Sequence, residues 1–273
     1  MKSIFTDEEL QFIKGNFNKM TYKELTEQLN SFNDIKKDDK QVRTKAATMG
    51  LSKRKYKYDN TFFETINTEE KAYWLGFVYA DGWITKSKNG AELGIELGII
   101  DKKHLFKFNH SIKGNYQVFE TLKPKSIYNG LVFKERTTSR IRIYSTKYFK
   151  DLKNLGVLPD KTNKTNHPII EGDFFMPFLR GFLDGDGCIY SSRMVHLTNA
   201  NENFLKYIKV YLSSNYNIEA RLYKEKDKKY RLLFSKKHSV SSLLSHLYEN
   251  STIHLDRKYN LYKELTLENK LAV

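Results

Sequence analysis

The sequence predicts an α+β protein in which a small three-helix domain precedes two copies of one αββαββα unit. Three observations predict it. Residues 1–50 carry three short amphipathic helical patterns; from about Thr61 onward strand-like alternation interleaves with helical periodicity; and that order repeats once along the chain. A length of 273 residues, with 40% apolar and 14% aromatic residues, is enough to bury a core in one large domain or two to three small ones.

The N-terminal helices are marked by their starts. "FTDEELQFIKGNF" places Thr6 as N-cap and Glu9 three residues on, a capping box, before Leu10, Ile13 and Phe17 recur at helical spacing. "MTYKELTEQLN" repeats the device with Thr21 and Glu24, followed by a stripe of Tyr22, Leu25 and Leu29. "DDKQVRTKAATMGL" turns Val42, Ala46 and Met49 inward, stops at Gly50, and sets Arg43, Thr44, Lys45 and Thr48 outward. Three helices with a basic face on the last resemble a helix-turn-helix or Myb-like DNA-binding module, and a plain bundle with a solvated basic face has the same pattern. Residues 1–52 are assigned to this module. The basic segment after it, with Lys53 and Arg54, is assigned to a linker over 53–66 that acts as a tether or lies against phosphates.

The first repeat, 67–165, opens on the helix "YWLGFVYADGWI" and continues with a hairpin ("WITKS", "AELGIELGII"). A helix ("KKHLFKFNHSI"), two strands ("YQVFETL", "SRIRIYS") and a helix ("KYFKDLKNLGV") complete it. The second repeat, 166–273, opens on "FLRGFLDGDGCIY" and runs through "CIYSS", "VHLTNA", the helix "NENFLKYIKVYLSSN", the strands "EARLYKE" and "YRLLFSK", and the helix "SSLLSHLYEN". "DRKYNLYKELTLENK" forms a last helix.

The two opening helices carry the chemistry. Glycine costs about 1 kcal/mol against alanine inside a helix, so its use at the same place in both repeats needs a reason. Gly76 and Ala80 lie at i and i+4, as do Gly181 and Gly185, which gives each helix one smooth face and lets two backbones pack closely. Packed side by side, the helices bring Asp81 and Asp186 to the same end, where the helix dipoles already carry partial negative charge. Divalent cations neutralise such an arrangement. Paired carboxylates and backbone carbonyls suit hard Mg²⁺ (or Mn²⁺), which can activate water and grip phosphate in phosphodiester hydrolysis.

Composition narrows the partners. Lys and Arg number 47 against 32 Asp and Glu, a net +15, which fits a polyanion partner or a lysine-rich solubilising surface. The single cysteine, Cys188, excludes a disulfide scaffold and a cysteine-based zinc site; the seven histidines are scattered, and the glycines form no phosphate-binding loop. No apolar run reaches the length of a membrane span, and "MKSIFTDEEL" has no signal-peptide pattern, so the expectation is a soluble, intracellular protein.

"WLGFVYADG" (74–82) and "LRGFLDGDG" (179–187) resemble the two motifs of a single-chain LAGLIDADG homing endonuclease, and the resemblance extends over about residues 61–267, including "LKNLGVLPDKT" and "LDRKYNLYKEL". It implies a pseudo-twofold saddle of two antiparallel sheets lying in the major groove, with double-strand cleavage across the minor groove. By the same resemblance Asp81 and Asp186 match the metal-binding acids, and the carbonyls of Ala80 and Gly185 their neighbouring ligands. Lys161 and Lys258 fall where the family carries a basic residue near the attacking water or scissile phosphate. The first motif departs by having Tyr79 where the second has Asp184, and Asp184 is read as a local hydrogen-bonding residue.

Strand alternation proposes the DNA face: Arg140 and Arg142 point away from Ile141 and Ile143, and Arg221 and Tyr223 away from a core Leu222. The reading is a monomeric, Mg²⁺-dependent endonuclease acting on double-stranded DNA. A non-cleaving DNA-binding regulator on the same scaffold and an RNA intron maturase are the alternatives.

Overall fold

The computed structural model describes residues 5–17, 19–51, 56–88, 90–128, 131–159, 166–190, 194–225 and 229–271; Lys53, Arg54 and Lys161 lie outside them. The chain divides into two compact units, Met1–Lys57 and Tyr58–Val273.

The first unit holds α1 (Asp7–Asn16), α2 (Tyr22–Ser31) and α3 (Asp39–Thr48). All three start with a capping box, Thr6 with Glu9, Thr21 with Glu24 and Asp38 with Gln41. Such reciprocal bonds satisfy amide groups that helices of ten residues could otherwise leave to water, and losing one cap costs about 1 kcal/mol. Ile13, Phe17, Leu25, Leu29, Val42 and Ala46 form the core. Glu9 does more than cap: its second oxygen pairs with the Lys37 ammonium, and both groups are buried. On α3, Arg43, Thr44 and Thr48 are exposed and Lys45 is half-buried. The Arg43 guanidinium sits 5.0 Å from the Tyr22 ring centroid, which holds it against the surface.

The second unit begins earlier than the sequence suggested. Residues 58–66, assigned to a linker, are packed from Tyr58 on: its ring stacks edgewise on Tyr148 at 5.2 Å, Phe62 and Phe63 are buried, and the Asp59 amide donates to the Ile112 carbonyl. The aromatics give this polar stretch enough apolar area to anchor it.

From there the order is αββαββα twice. The first repeat comprises α4 (Glu69–Asp81), β1 (Gly82–Ser87), β2 (Gly90–Gly98), α5 (Lys102–Ser111), β3 (Phe119–Lys123), β6 (Arg136–Tyr144) and α6 (Thr146–Asn154). A short extra hairpin, β4 (Ser126–Tyr128) with β5 (Leu131–Phe133), lies between β3 and β6 in sequence. The second repeat comprises α7 (Phe175–Asp186), β7 (Gly187–Ile189), β8 (Val195–Asn199), α8 (Glu202–Tyr216), β9 (Arg221–Lys224), β10 (Tyr230–Phe234) and α9 (Lys237–Tyr248), and α10 (Asp256–Leu271) follows. The antiparallel sheets have matching orders, β1-β2-β6-β3 and β7-β8-β10-β9. Their registers match as well. Gly82 faces Ile95 and Ile141 faces Ile95 in one; Gly187 faces Leu197 and Leu232 faces Leu197 in the other. One face of each sheet is buried, through Leu93, Ile95, Ile141 and Ile143 in the first and Val195, Leu197, Leu232 and Phe234 in the second. Leu222 departs from its expected core role. It is only half-buried, because β9 is an edge strand.

Candidate functional site

Helices α4 and α7 pack against each other more extensively than any other pair of described elements. A Cβ added at Gly76 would land on the Phe178 carbonyl oxygen and 2.9 Å from the Phe182 nitrogen. One added at Gly181 would land on the Tyr73 carbonyl and 2.9 Å from the Phe77 nitrogen. Backbone touches backbone at both points, a symmetric approach that only glycine permits. One turn further on, a Cβ at Gly185 would strike that of Ala80 and stand 3.3 Å from Asp81 Oδ2. Each helix then ends at once. The Gly82 amide closes on the Val78 carbonyl and the Gly187 amide on Leu183, and both glycines pass directly into a strand. Asp81 and Asp186, the last residues of the two helices, are half-exposed beside this crossing.

Asp184 is placed quite differently, at 1% exposure. It accepts from Tyr73 Oη at 2.8 Å, Tyr248 Oη at 2.6 Å and the Leu255 amide at 2.7 Å, partners distant in sequence rather than local. Burial raises its carboxyl above the usual range, against the opposing pull of Lys258 and these donors. Tyr73 also lies 2.8 Å from His104 Nε2, and since its hydroxyl hydrogen goes to Asp184, the imidazole donates here. His104 Nδ1 is buried with no partner among the described residues, and burial lowers the imidazole to about 3.

Lys258 is corrected by the structure. An ammonium at the scissile phosphate must be reachable, whereas Lys258 is 4% exposed and donates to the carbonyls of Leu183, Asp184 and Gly187 at 2.5, 2.8 and 2.7 Å. It caps the C-terminal end of α7 from inside, where a cation is favoured by the helix dipole. Burial brings it down to about 8 against the attraction of Asp184.

A cavity of about 280 Å³ opens where the second motif meets its sheet, lined by Tyr79, Ala80, Asp186, Thr198, Asn199 and Lys229, among others. Helix α4 contributes Tyr79 and Ala80 and α7 contributes Asp186, so both helices meet in one space. Burial pushes the Tyr79 hydroxyl up to about 12, despite its bond to Asn201 and with help from Asp186. Among the described residues no group of three or more His, Cys, Asp and Glu side chains gathers as a metal cage. The donors are two carboxylates at adjoining helix ends, with no side chain at 185 to separate them, a hard-oxygen set that fits Mg²⁺ or Mn²⁺ completed by water and phosphate.

On the uncovered sheet faces, the arginines divide. Arg142 is clamped on Glu92, Nε at 2.7 Å and Nη2 at 2.5 Å, and so is not a free reader of bases. Arg140 is half-buried, 3.9 Å from Glu96. Its Nε is buried with no partner among the described residues, as is that of Arg231, whose Nη2 pairs with Glu225 at 2.7 Å. Arg231 holds in the second sheet the place of Arg140 in the first: it faces Tyr223 as Arg140 faces Phe119. Sequence reasoning missed Arg231 and Phe119, although superposing the repeats strand by strand would have found both. Tyr223, at 43% exposure, and Phe119, at 50%, stand out from the sheets, and Arg221 is exposed at the edge.

Residues 174–257 match the LAGLIDADG-like domain family. No curated protein matches the chain in sequence. Among solved structures, the homing endonuclease I-WcaI bound to its DNA recognition sequence has 15% identity and a TM-score of 0.51, the match covering 79% of this chain and 97% of that one. I-DmoI in complex with DNA and Mn has 16% identity and a TM-score of 0.46, covering 68% and 98%. The N-terminal LAGLIDADG domain of DUF199/WhiA has 14% identity and a TM-score of 0.43, covering 74% and 92%. No described helix is long and apolar enough to cross a membrane. In fold the chain is LAGLIDADG-like, and the family's sequence pattern is matched over its second repeat.

Proposed function

We propose that the second unit is a site-specific endonuclease for double-stranded DNA, acting as a monomer with a divalent metal, Mg²⁺ or Mn²⁺. One observation carries the reading. The ends of α4 and α7 meet with Asp81 against Gly185, and Asp186 shares a cavity with Ala80, so two carboxylates from two repeats converge without a second chain. Asp81, Asp186 and the carbonyls of Ala80 and Gly185 would hold the cation. When bound, it would activate water and stabilise the leaving oxygen of a phosphodiester. I-WcaI, whose structure is described as bound to its DNA recognition sequence, supports the choice of substrate.

The chain's own residues do the rest. The glycine crossing fixes the spacing of the carboxylates; Lys258 holds the end of α7, and with it Asp186, in place. Arg140, Arg221 and Tyr223 present donors and an aromatic face to base edges, and Arg231, held on Glu225 as Arg142 is on Glu92, shapes the sheet beneath them. Lys161 is proposed as the basic residue near the first motif. Residues 1–52 are proposed as a helix-turn-helix-like module adding phosphate contacts through Arg43, Thr44, Lys45 and Thr48, and Lys53 and Arg54 extend them. Removing that module should weaken binding and flatten its salt dependence.

The deciding experiment selects cleaved duplexes from a randomised library in Mg²⁺ and measures binding of the selected duplex in Ca²⁺. Recovery of one cleaved sequence supports the reading. A protein that binds one sequence and never cuts it is a regulator, and one that binds only its own intron RNA is a maturase.

A further inference from the structure

Among the described residues, the cavity beside Asp186 has no counterpart of the same chemistry in the first repeat. One step beyond the paired Gly187 and Leu197 stand Asp186 and Thr198; one step beyond Gly82 and Ile95 stand Asp81 and Glu96. The same register sets Asn199 against Leu97. With Arg231 facing Thr198 and Arg140 facing Glu96, it also sets Lys229 against Thr138. In the second repeat, therefore, the catalytic aspartate adjoins a hydroxyl, an amide and an ammonium. In the first it adjoins a carboxylate, a leucine and a buried threonine. Glu96 is held by Lys123 at 2.7 Å and by Arg140 at 3.9 Å, so the cations nearest it are already engaged. Lys229 has no ion pair among the described residues, and it lines the cavity with Asp186.

We infer that Lys229, with Thr198 and Asn199, forms a phosphate-binding subsite beside Asp186 that its register counterparts in the first repeat, Glu96, Leu97 and Thr138, do not form. This rests on the endonuclease reading. The ligand is a non-bridging oxygen of the DNA backbone: an ammonium supplies the charge, and the hydroxyl and amide supply two further donors within one cavity large enough for a phosphate group. Lys229 touches substrate in this scheme without taking a proton or forming a bond. Because the matching positions of the first repeat carry a carboxylate, a leucine and a buried threonine instead, the strand whose phosphate this subsite holds is cut first.

The test is single-turnover cleavage of the selected duplex in Mg²⁺ with each strand labelled separately, for the wild type and for Lys229→Ala and Lys229→Arg. The wild type should cut one strand faster. Lys229→Ala should slow that strand about tenfold or more and leave the other within about twofold, and Lys229→Arg should restore most of the lead. Equal strand rates in the wild type, or equal slowing of both strands by Lys229→Ala, would overturn the subsite while the endonuclease reading stands. If the wild type never cuts, that reading fails, and the salt dependence of binding decides the subsite. Loss of one phosphate contact lowers the slope of log K against log salt by about 0.9, whereas an unchanged slope removes Lys229 from the DNA.

Discussion

The two repeats pass their opening helices across each other at the same glycines, yet a buried polar chain fills one side of the crossing and aromatic rings fill the other. On the polar side Asp184 of α7 reaches Tyr73 of α4, which reaches His104 of α5. The equivalent positions on the other side are Tyr79, Phe178 and Phe204, where aromatic rings pack edge to face: Tyr79 on Phe204 at 4.8 Å, and Phe182 on Phe204 at 4.7 Å. The backbone geometry is shared because it depends on glycine. The side-chain chemistry has diverged because each side needs only a filled, satisfied core. A buried carboxylate is stable on one side only because three donors and the Lys258 ammonium surround it, and removing any partner exposes the cost of burying charge.

The comparison breaks first at the carboxylates that the two sides do share. Asp81→Asn and Asp186→Asn should each lower double-strand cleavage by about a hundredfold or more, with binding in Ca²⁺ retained, since the amide keeps the shape and loses the charge that holds metal. Full cutting by either variant would show that the repeats are not equal partners. Next in size is the buried network. Asp184→Asn should cost about 3–5 kcal/mol in urea unfolding, because Lys258 keeps its buried charge and loses the nearby carboxylate. Tyr79→Phe, at the matching place, should cost only about 1 kcal/mol, the value of one hydrogen bond. Similar losses for the two would erase the contrast.

The glycines sharpen it from the symmetric side. Gly76→Ala and Gly181→Ala should destabilise by similar amounts, about 1–3 kcal/mol or more, because each added methyl meets a carbonyl of the opposite helix. A further effect is one of pH. His104 is neutral when folded, lowered to about 3 by burial, whereas unfolded it titrates near 6.5. Below pH 6.5 the unfolded chain takes up the proton first, so stability is intact above that pH and falls as pH drops towards 3. The loss is about 2 kcal/mol at pH 5. His254, lowered to about 4 by burial, adds in the same direction. His104→Phe, which copies the second repeat, should shrink the acid sensitivity as measured by denaturation at pH 7 and pH 5. An unchanged pH dependence would mean that this histidine is not the one titrating.

Much of this was legible in residue spacing. The capping boxes at Thr6 and Thr21 and the alternation in β6 are local patterns, and local patterns fix element type. The close approach at Gly76 and Gly181 was legible too, since nothing but a backbone neighbour justifies glycine there twice. What could not be read is everything set by partners distant in the chain. Lys258 looks like a surface lysine in "LDRKYN", and only the fold folds it inward onto Leu183 and Gly187. Arg142 alternates as a DNA reader should, but its cross-strand neighbour Glu92 claims it. Lys37 and Glu9 gave no hint of their buried pairing.

The one-sided chain from Asp184 through Tyr73 to His104 also sets which halves can be joined. Two first repeats brought together would place Tyr79 where the other copy's Tyr73 needs an acceptor. Two second repeats would bury Asp184 against Phe178, which has no hydroxyl to offer. Matching glycines would let either self-pairing dock, and the mismatched polar groups would then penalise it. The half-molecules are thus complementary to each other and not to themselves. Recombining this chain with a relative should succeed only where the incoming half brings the missing member of that pair.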